Sequence, residues 1–261
     1  AGFDYDSNEA SMVRVARRDY EKARNYYLKA YNIFATLGSD VDTSSNLINL
    51  IYISLYEKNK EKYSEYLEKL AELDKGTNQH INYIHRLGKA LILKASDKIF
   101  DKAQAKEILE KLAQEQDVKE QYKIIAKLNV CDLLIFEAKA MESDEPLTEV
   151  SEIIDSLINI ADRINHNQLL IEILILKSKL ELINKNIDIS IDVLEKAEAT
   201  ANSKGLIRLS KKVAKELELL DSQVEEWHKL SEKSASIFQR LEQSKLDEYI
   251  KLASELAMAS S

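Results

Sequence analysis

The chain has 261 residues, with only five Gly and one Pro, and carries 37 Lys and Arg against 45 Asp and Glu for a formal net charge of −8. So little turn chemistry excludes a sheet-rich fold, whose hairpins need Gly, Pro, Asn or Asp at short intervals. The acidic total disfavours nucleic acid as the main ligand, and a single cysteine, Cys131, excludes an intrachain disulfide.

Leu, Ile, Ala, Lys and Glu fill the rest, mostly good helix formers, so the expected fold class is all-α. The longest apolar run, Leu169 to Leu176 with Glu172 inside it, is far short of the ~20 residues of a membrane span. No membrane insertion is expected. No charged-then-apolar leader opens the chain, and the expected compartment is the cytoplasm. The first residue is Ala1 rather than Met, which is compatible with a piece of a longer protein.

Helical signals come in pairs. Residues 3–17 and 20–37 form the first, with a corner at Arg17-Arg18-Asp19 and a C-terminal glycine, Gly38. Asp42 or Thr43 caps a helix to Lys58; Asn59 breaks it, and 61–75 follows, ending at Gly76. The third pair is 78–96 and 101–115. The fourth is 118–142 and 147–165, with Pro146 at the start of its second helix, where a missing N–H costs little. The fifth is 168–184 and 187–203, stopped by Ser203-Lys204-Gly205; His166, after Asn165, is read as helping to end a helix. Residues 206–220, 222–243 and 245–258 complete the chain, with a break placed at Ser222-Gln223-Val224-Glu225, which has capping-box spacing.

The second helices overlay at i, i+4, i+7: Ala23/Tyr27/Ala30, Tyr63/Leu67/Leu70, Ala105/Leu109/Leu112, Val150/Ile154/Leu157 and Ser190/Leu194/Ala197. Each set lies on one helix face. Their first members are 40, 42, 45 and 40 residues apart, the period range of stacked helical repeats. Residues 1–205 are therefore expected to form a repeat array. Residues 206–261 are expected to form capping helices continuous with it, through the stripe Leu206, Leu209, Val213, Leu217 and Leu220.

Asp19-Tyr20-Glu21-Lys22-Ala23, then Tyr27 and Ala30, resembles the second half of a tetratricopeptide repeat. Leu87-Gly88 is similar to the Leu-Gly pair of that repeat's first helix, and Asn186 to Ala197 is similar again. The spacing exceeds the 34 residues typical of that family, and its Trp and closing Pro are mostly absent. The resemblance implies a right-handed α-solenoid of about five antiparallel pairs, with a concave groove lined by the first helices and a C-terminal helical cap. It places Asn49, Tyr52 and Tyr56 in the groove, then Asn82, His85, Arg86 and Lys89, with Lys127 and Lys179 further along. Such residues suit an acidic peptide segment or a free C-terminus; solvated helix faces are the alternative reading.

No constellation points to chemistry. His80 and His85 stand five apart, ~140° around a helix, which is wrong for a shared metal. Cys131 lies in an apolar segment and reads as a buried small hydrophobe. Glu216 to Glu218 read as a solvated face, and Trp227 as core or cap. With no phosphate loop, nucleophile elbow or zinc motif, no catalytic residue, metal or cofactor is assigned. The expected function is a non-enzymatic protein-interaction scaffold that binds a peptide or protein partner. The alternatives are a sensory or regulatory arm of a larger signalling ATPase or transcriptional regulator, and a helical-repeat enzyme.

Overall fold

A computed structural model describes residues 5–232 and 235–259, with side chains described for residues 20–231 and 235–258. Among the described residues every regular element is a helix: α1 (Tyr5–Leu37), α2 (Asp40–Tyr56), α3 (Lys60–Leu73), α4 (Gln79–Lys94), α5 (Ile99–Gln114), α6 (Glu120–Met141), α7 (Glu145–Arg163), α8 (Asn167–Ile183), α9 (Ile187–Ser203), α10 (Ile207–Glu232), α11 (Ile237–Ser244) and α12 (Leu246–Ala259). Most pack against their neighbours in sequence. The chain divides into two compact units, Ala1–Ile108 and Leu109–Ser261, with the division inside α5.

One corner recurs. After α1, α2, α7, α8 and α9 a single residue turns left-handed: Gly38 (φ 71°), Lys58 (55°), Asn165 (54°), Lys185 (67°) and Gly205 (66°). The following residue's N–H then reaches back five positions, from Ser39 to Phe34, Asn59 to Ser54, His166 to Ala161, Asn186 to Glu181 and Leu206 to Ala201, all at 2.8–3.0 Å. This is the Schellman closure, which satisfies carbonyls that a helix end leaves orphaned. In each case the next helix starts two residues after the left-handed one. A link that short leaves consecutive helices little choice but to run antiparallel.

In the first unit α2 packs on α1, α3 and α4, and α3 packs on α4. Leu47, Ile48, Leu50 and Ile51 of α2 are fully buried, as are Ile84 and Leu87 of α4. Gly88 lies at the closest approach: a Cβ there would stand 3.2 Å from Ile51 Cδ1 and 3.4 Å from Ile48 Cδ1. In the second unit α6 to α10 pack each on the next, and α8 also touches α10. The predicted stripes Val150/Ile154/Leu157 and Ser190/Leu194/Ala197 are buried. Helices α11 and α12 depart from chain order and pack on α6 and α8.

Three boundaries differ from expectation. The corner at Arg17-Arg18-Asp19 does not form, and α1 is continuous from Tyr5. That stretch has no Gly, Asn or Pro to turn or stop the helix; residues 3 and 4 of the first predicted helix lie outside the described residues. Ser222 does not cap a helix, because its Oγ turns back to donate to Leu219 O (2.7 Å) within continuous α10. The capping box lies instead at Ser236: its Oγ accepts from Gln239 N–H (3.2 Å) while Gln239 Oε1 accepts from Ser236 N–H (3.1 Å). Likewise Ser39, not Asp42 or Thr43, precedes α2.

Two substitutions test these packing rules. A non-glycine residue in the left-handed region costs about 1–2 kcal/mol, partly offset by the flexibility Gly brings to the unfolded chain. Lys185→Gly is therefore expected to stabilise the second unit by about 0.5–1 kcal/mol, read as a higher urea midpoint. Gly88→Leu forces a side chain into the α2–α4 contact and should destabilise the first unit by about 1–3 kcal/mol; an unchanged midpoint would contradict the close approach.

Candidate functional site

The first unit carries an open cleft lined by Tyr20, Glu21 and Arg24 of α1 and by Tyr56, Glu57 and Lys58 at the end of α2. Tyr20 and Arg24 are four apart and share one helix face. Tyr56 stacks on Tyr20, with ring centroids 4.0 Å apart and planes 28° from parallel. One turn along, Arg24 Nη1 lies 2.8 Å from both carboxylate oxygens of Glu57. The left-handed turn at Lys58 ends α2 at this point, so the α2–α3 corner itself forms one wall of the cleft. The arrangement offers aromatic surface beside an exchangeable cation and carboxylate. With Arg24 and Glu57 side chains 34% and 27% exposed, the pair contributes little to stability.

The other expected residues of this unit fall in separate places. Tyr52 is half-buried one turn before Tyr56, on the same side of α2. Asn49 is buried, and its amide donates to Ser45 O (3.0 Å) within the helix. Asn82 and His85 turn instead toward Asp74 at the end of α3: Asn82 Nδ2 donates to Asp74 Oδ2 (3.0 Å), and His85 Nδ1 lies 2.9 Å from the same oxygen. Gly76 N–H donates to Asp74 Oδ1 (3.3 Å). Arg86 lies over the Tyr83 ring, 6.0 Å from its centroid, and Lys89 is exposed. Thus Tyr52 and Tyr56 belong to the α1–α2 side, whereas Asn82 and His85 belong to the α3–α4 corner.

In the second unit Lys127 is half-buried on α6. Lys179 is buried, and its ammonium lies 2.7 Å from Glu216 Oε2 and 5.0 Å from the centre of the Tyr249 ring. The solvated reading of Glu216 is therefore incorrect: the carboxylate is buried and holds the Lys179 ammonium while accepting a hydrogen bond from the Tyr249 hydroxyl. Burial first, then that contact with Glu216, raises the Tyr249 pKa, so the hydroxyl stays a donor. His166 helps to end α7, as expected, through its N–H on Ala161 O (2.9 Å), and it also caps α8, its Nδ1 accepting from Leu169 N–H (3.2 Å). Cys131 is fully buried, and that burial pushes its thiol pKa up. Trp227 is buried on α10. Among the described residues no three His, Cys, Asp or Glu side chains converge as metal ligands, and no helix is long and apolar enough to cross a membrane.

The cleft residues Tyr20, Arg24, Glu57 and Lys58 escaped the sequence reading. The i, i+4 placement of Tyr20 and Arg24 is visible in the sequence, and Tyr27 continues that face at i+7, but nothing local to α1 shows that Tyr56, Glu57 and Lys58 come to lie against it.

Asp74 gives a pH test. Burial favours its neutral form, but hydrogen bonds from His85, the Gly76 N–H and Asn82 outweigh burial and hold its pKa below the ordinary carboxylate value. A depressed folded-state pKa contributes stability that is present above the unfolded pKa and lost as pH falls through the folded one. Asp74→Asn should therefore cost about 1–2 kcal/mol at neutral pH, with the difference from wild type shrinking below pH ~4. A pH-independent difference in urea midpoint would contradict this. In comparisons with known proteins, no family model, no curated protein and no solved structure matches this chain.

Proposed function

We propose that this chain is a non-enzymatic protein-interaction scaffold: a tetratricopeptide-like, right-handed stack of helix pairs that holds a peptide segment or protein partner. The observation that carries this reading is the five-fold recurrence of one hairpin corner, each with the next helix starting two residues on. Hairpins built on one corner present similar apolar faces, and none can cover its own, so neighbours stack and leave an extended surface for a partner. The approximately 40-residue period of the second-helix stripes supports the same reading.

The α1–α2 cleft is the proposed anchor point. A partner's apolar side chain would lie against the stacked Tyr20 and Tyr56 rings, burying area on rigid aromatic surface. A partner's carboxylate would replace Glu57 on Arg24; the exchange costs little because the existing pair is exposed. An acidic peptide segment is the ligand class this chemistry favours.

The test begins with capture of partners by the immobilised full chain from a lysate of its source, with identification by mass spectrometry. A peptide from the captured protein is then titrated against wild type and against the Tyr20→Ala/Tyr56→Ala double variant. The double variant should lose about ten- to a hundred-fold in affinity, as interface aromatics do, with unchanged far-UV circular dichroism. Added salt should weaken binding only in part, since charges are screened at the ~8 Å Debye length while apolar contacts are not. Wild-type affinity in the double variant would remove the cleft from the binding surface.

A further inference from the structure

Helix α1 leaves open a face that α3 and α7 keep covered. In the register of the second-helix stripes, Tyr26, Ala30 and Ile33 correspond to Tyr66, Leu70 and Leu73 of α3 and to Ile153, Leu157 and Ile160 of α7. Tyr66 is 4% exposed and Ile160 9%. Leu70 and Leu157 are fully buried, as are Leu112 and Ala197 at the same position of α5 and α9. On α1, by contrast, Tyr26 is 72% exposed, Ile33 58% and Leu37, one turn on, 72%.

Elsewhere that side of a second helix meets the first helix of its own hairpin. Ser190, at the position of Ala23, shares a 2.7 Å hydrogen bond with Ser178 of α8, the helix before it. Leu67, at the position of Tyr27, looks the other way: a Cβ on Gly88 of α4, the helix after it, would stand 3.5 Å from Leu67 Cδ1. On α1 the Tyr27 side is likewise turned to the helix after it, since Tyr20 and Arg24 on that side meet Tyr56 and Glu57 of the α2 end. The Ala23 side has no preceding helix among the described residues. Helix α1 is continuous from Tyr5, so residues 5–19 extend its axis instead of folding back over it.

The open face also matches itself. Counting back from Leu37 in alternate steps of four and three gives Ile33, Ala30, Tyr26, Ala23, Asp19, Ala16 and Met12, the spacing of a coiled-coil seam. Laid antiparallel on a copy of itself about a point between residues 24 and 25, Met12 stands opposite Leu37, Ala16 opposite Ile33 and Ala23 opposite Tyr26. Small residues oppose large ones at the centre, which lets two seams interdigitate. Asp19, the single charge of the series, stands opposite Ala30 and next to exposed Lys29, and one polar residue in such a seam fixes its register. The match is two-fold symmetric, as a contact between identical chains requires.

We propose that the Tyr26, Ile33 and Leu37 face of α1 is a dimerisation surface, and that its occupant is α1 of a second copy of this chain, packed antiparallel about a two-fold axis. Residues 12–19 of each copy then take the place that a first helix holds in the other hairpins. Tyr26, Ile33 and Leu37 lie ~100–140° around the helix from Tyr20, so the α1–α2 cleft stays open in the pair. The proposal is independent of what that cleft binds.

Sedimentation velocity of the full chain over a concentration series tests this, with the pair expected to dissociate at roughly micromolar concentration. Tyr26→Glu/Ile33→Glu should raise that concentration about a hundred-fold or more. Its circular dichroism and urea midpoint should stay at wild-type values, because both side chains are exposed. Spin labels on Thr36→Cys, an exposed position beside the seam, should lie ~35 Å apart between copies, against ~10–20 Å in a parallel pair; the native Cys131 is buried and escapes labelling. A wild-type chain still monomeric at ~0.1 mM overturns the proposal. So does a pair that survives the double variant or gives the short distance. Lost helicity in the double variant also overturns it, since the face then belongs to the unit's own core. A monomer whose labels at Glu9→Cys and Thr36→Cys lie much closer than the ~40 Å of a straight helix assigns the face to residues 5–17 of the same chain instead.

Discussion

A left-handed residue closing the end of a helix is the constraint from which the rest of this structure follows. It satisfies two orphaned carbonyls and reverses the chain within two residues. With so short a link the next helix must fold back along the last one, and its apolar stripe meets the neighbour's. Gly38 and Gly205 take this conformation without a Cβ penalty; Lys58, Asn165 and Lys185 take it against one. That the corner forms even there indicates that the packing it permits outweighs the local strain.

Stacking has a consequence for the first helices of the hairpins. Helix α8 is buried on nearly every side, between α7, α9, α10 and α12, and reads as apolar all round. Any charge on it must then be paired or excluded from the interior. Lys179 is paired with Glu216, and Glu181 faces Lys177 at 3.2 Å and Asn186 at 2.8 Å. The junction of Lys179, Glu216, Tyr249, Lys212 and Glu172 is thus forced by burial. Both ion pairs run between α8 and α10, and α12 adds the Tyr249 hydroxyl on Glu216 and its ring beneath the two ammonium groups.

The two units place their available chemistry differently. In the first, stacked tyrosines and an exposed ion pair line an open cleft. In the second, the corresponding polar groups are covered by a helix of the same chain.

Local hydrogen bonding and periodicity were legible without coordinates. The span 187–203 is reproduced to the residue, and Pro146 and the glycine corners stand where turn chemistry put them, because these depend on residues within a few positions of one another. The corner expected at Arg17-Arg18-Asp19 and the cap at Ser222 failed for the same local reason read too generously: a capping spacing is present in many helices, and only a residue able to leave the helix turns it into an end. By itself, then, the sequence determined the all-helical class, the hairpin rhythm and most helix ends. Tertiary structure alone decided that Glu216 is buried, that Lys179 is covered rather than open, and that Tyr20 and Arg24 join Tyr56 and Glu57 in one cleft. These are pairings between residues tens of positions apart, and helical periodicity says which face a residue occupies but not what comes to lie against it.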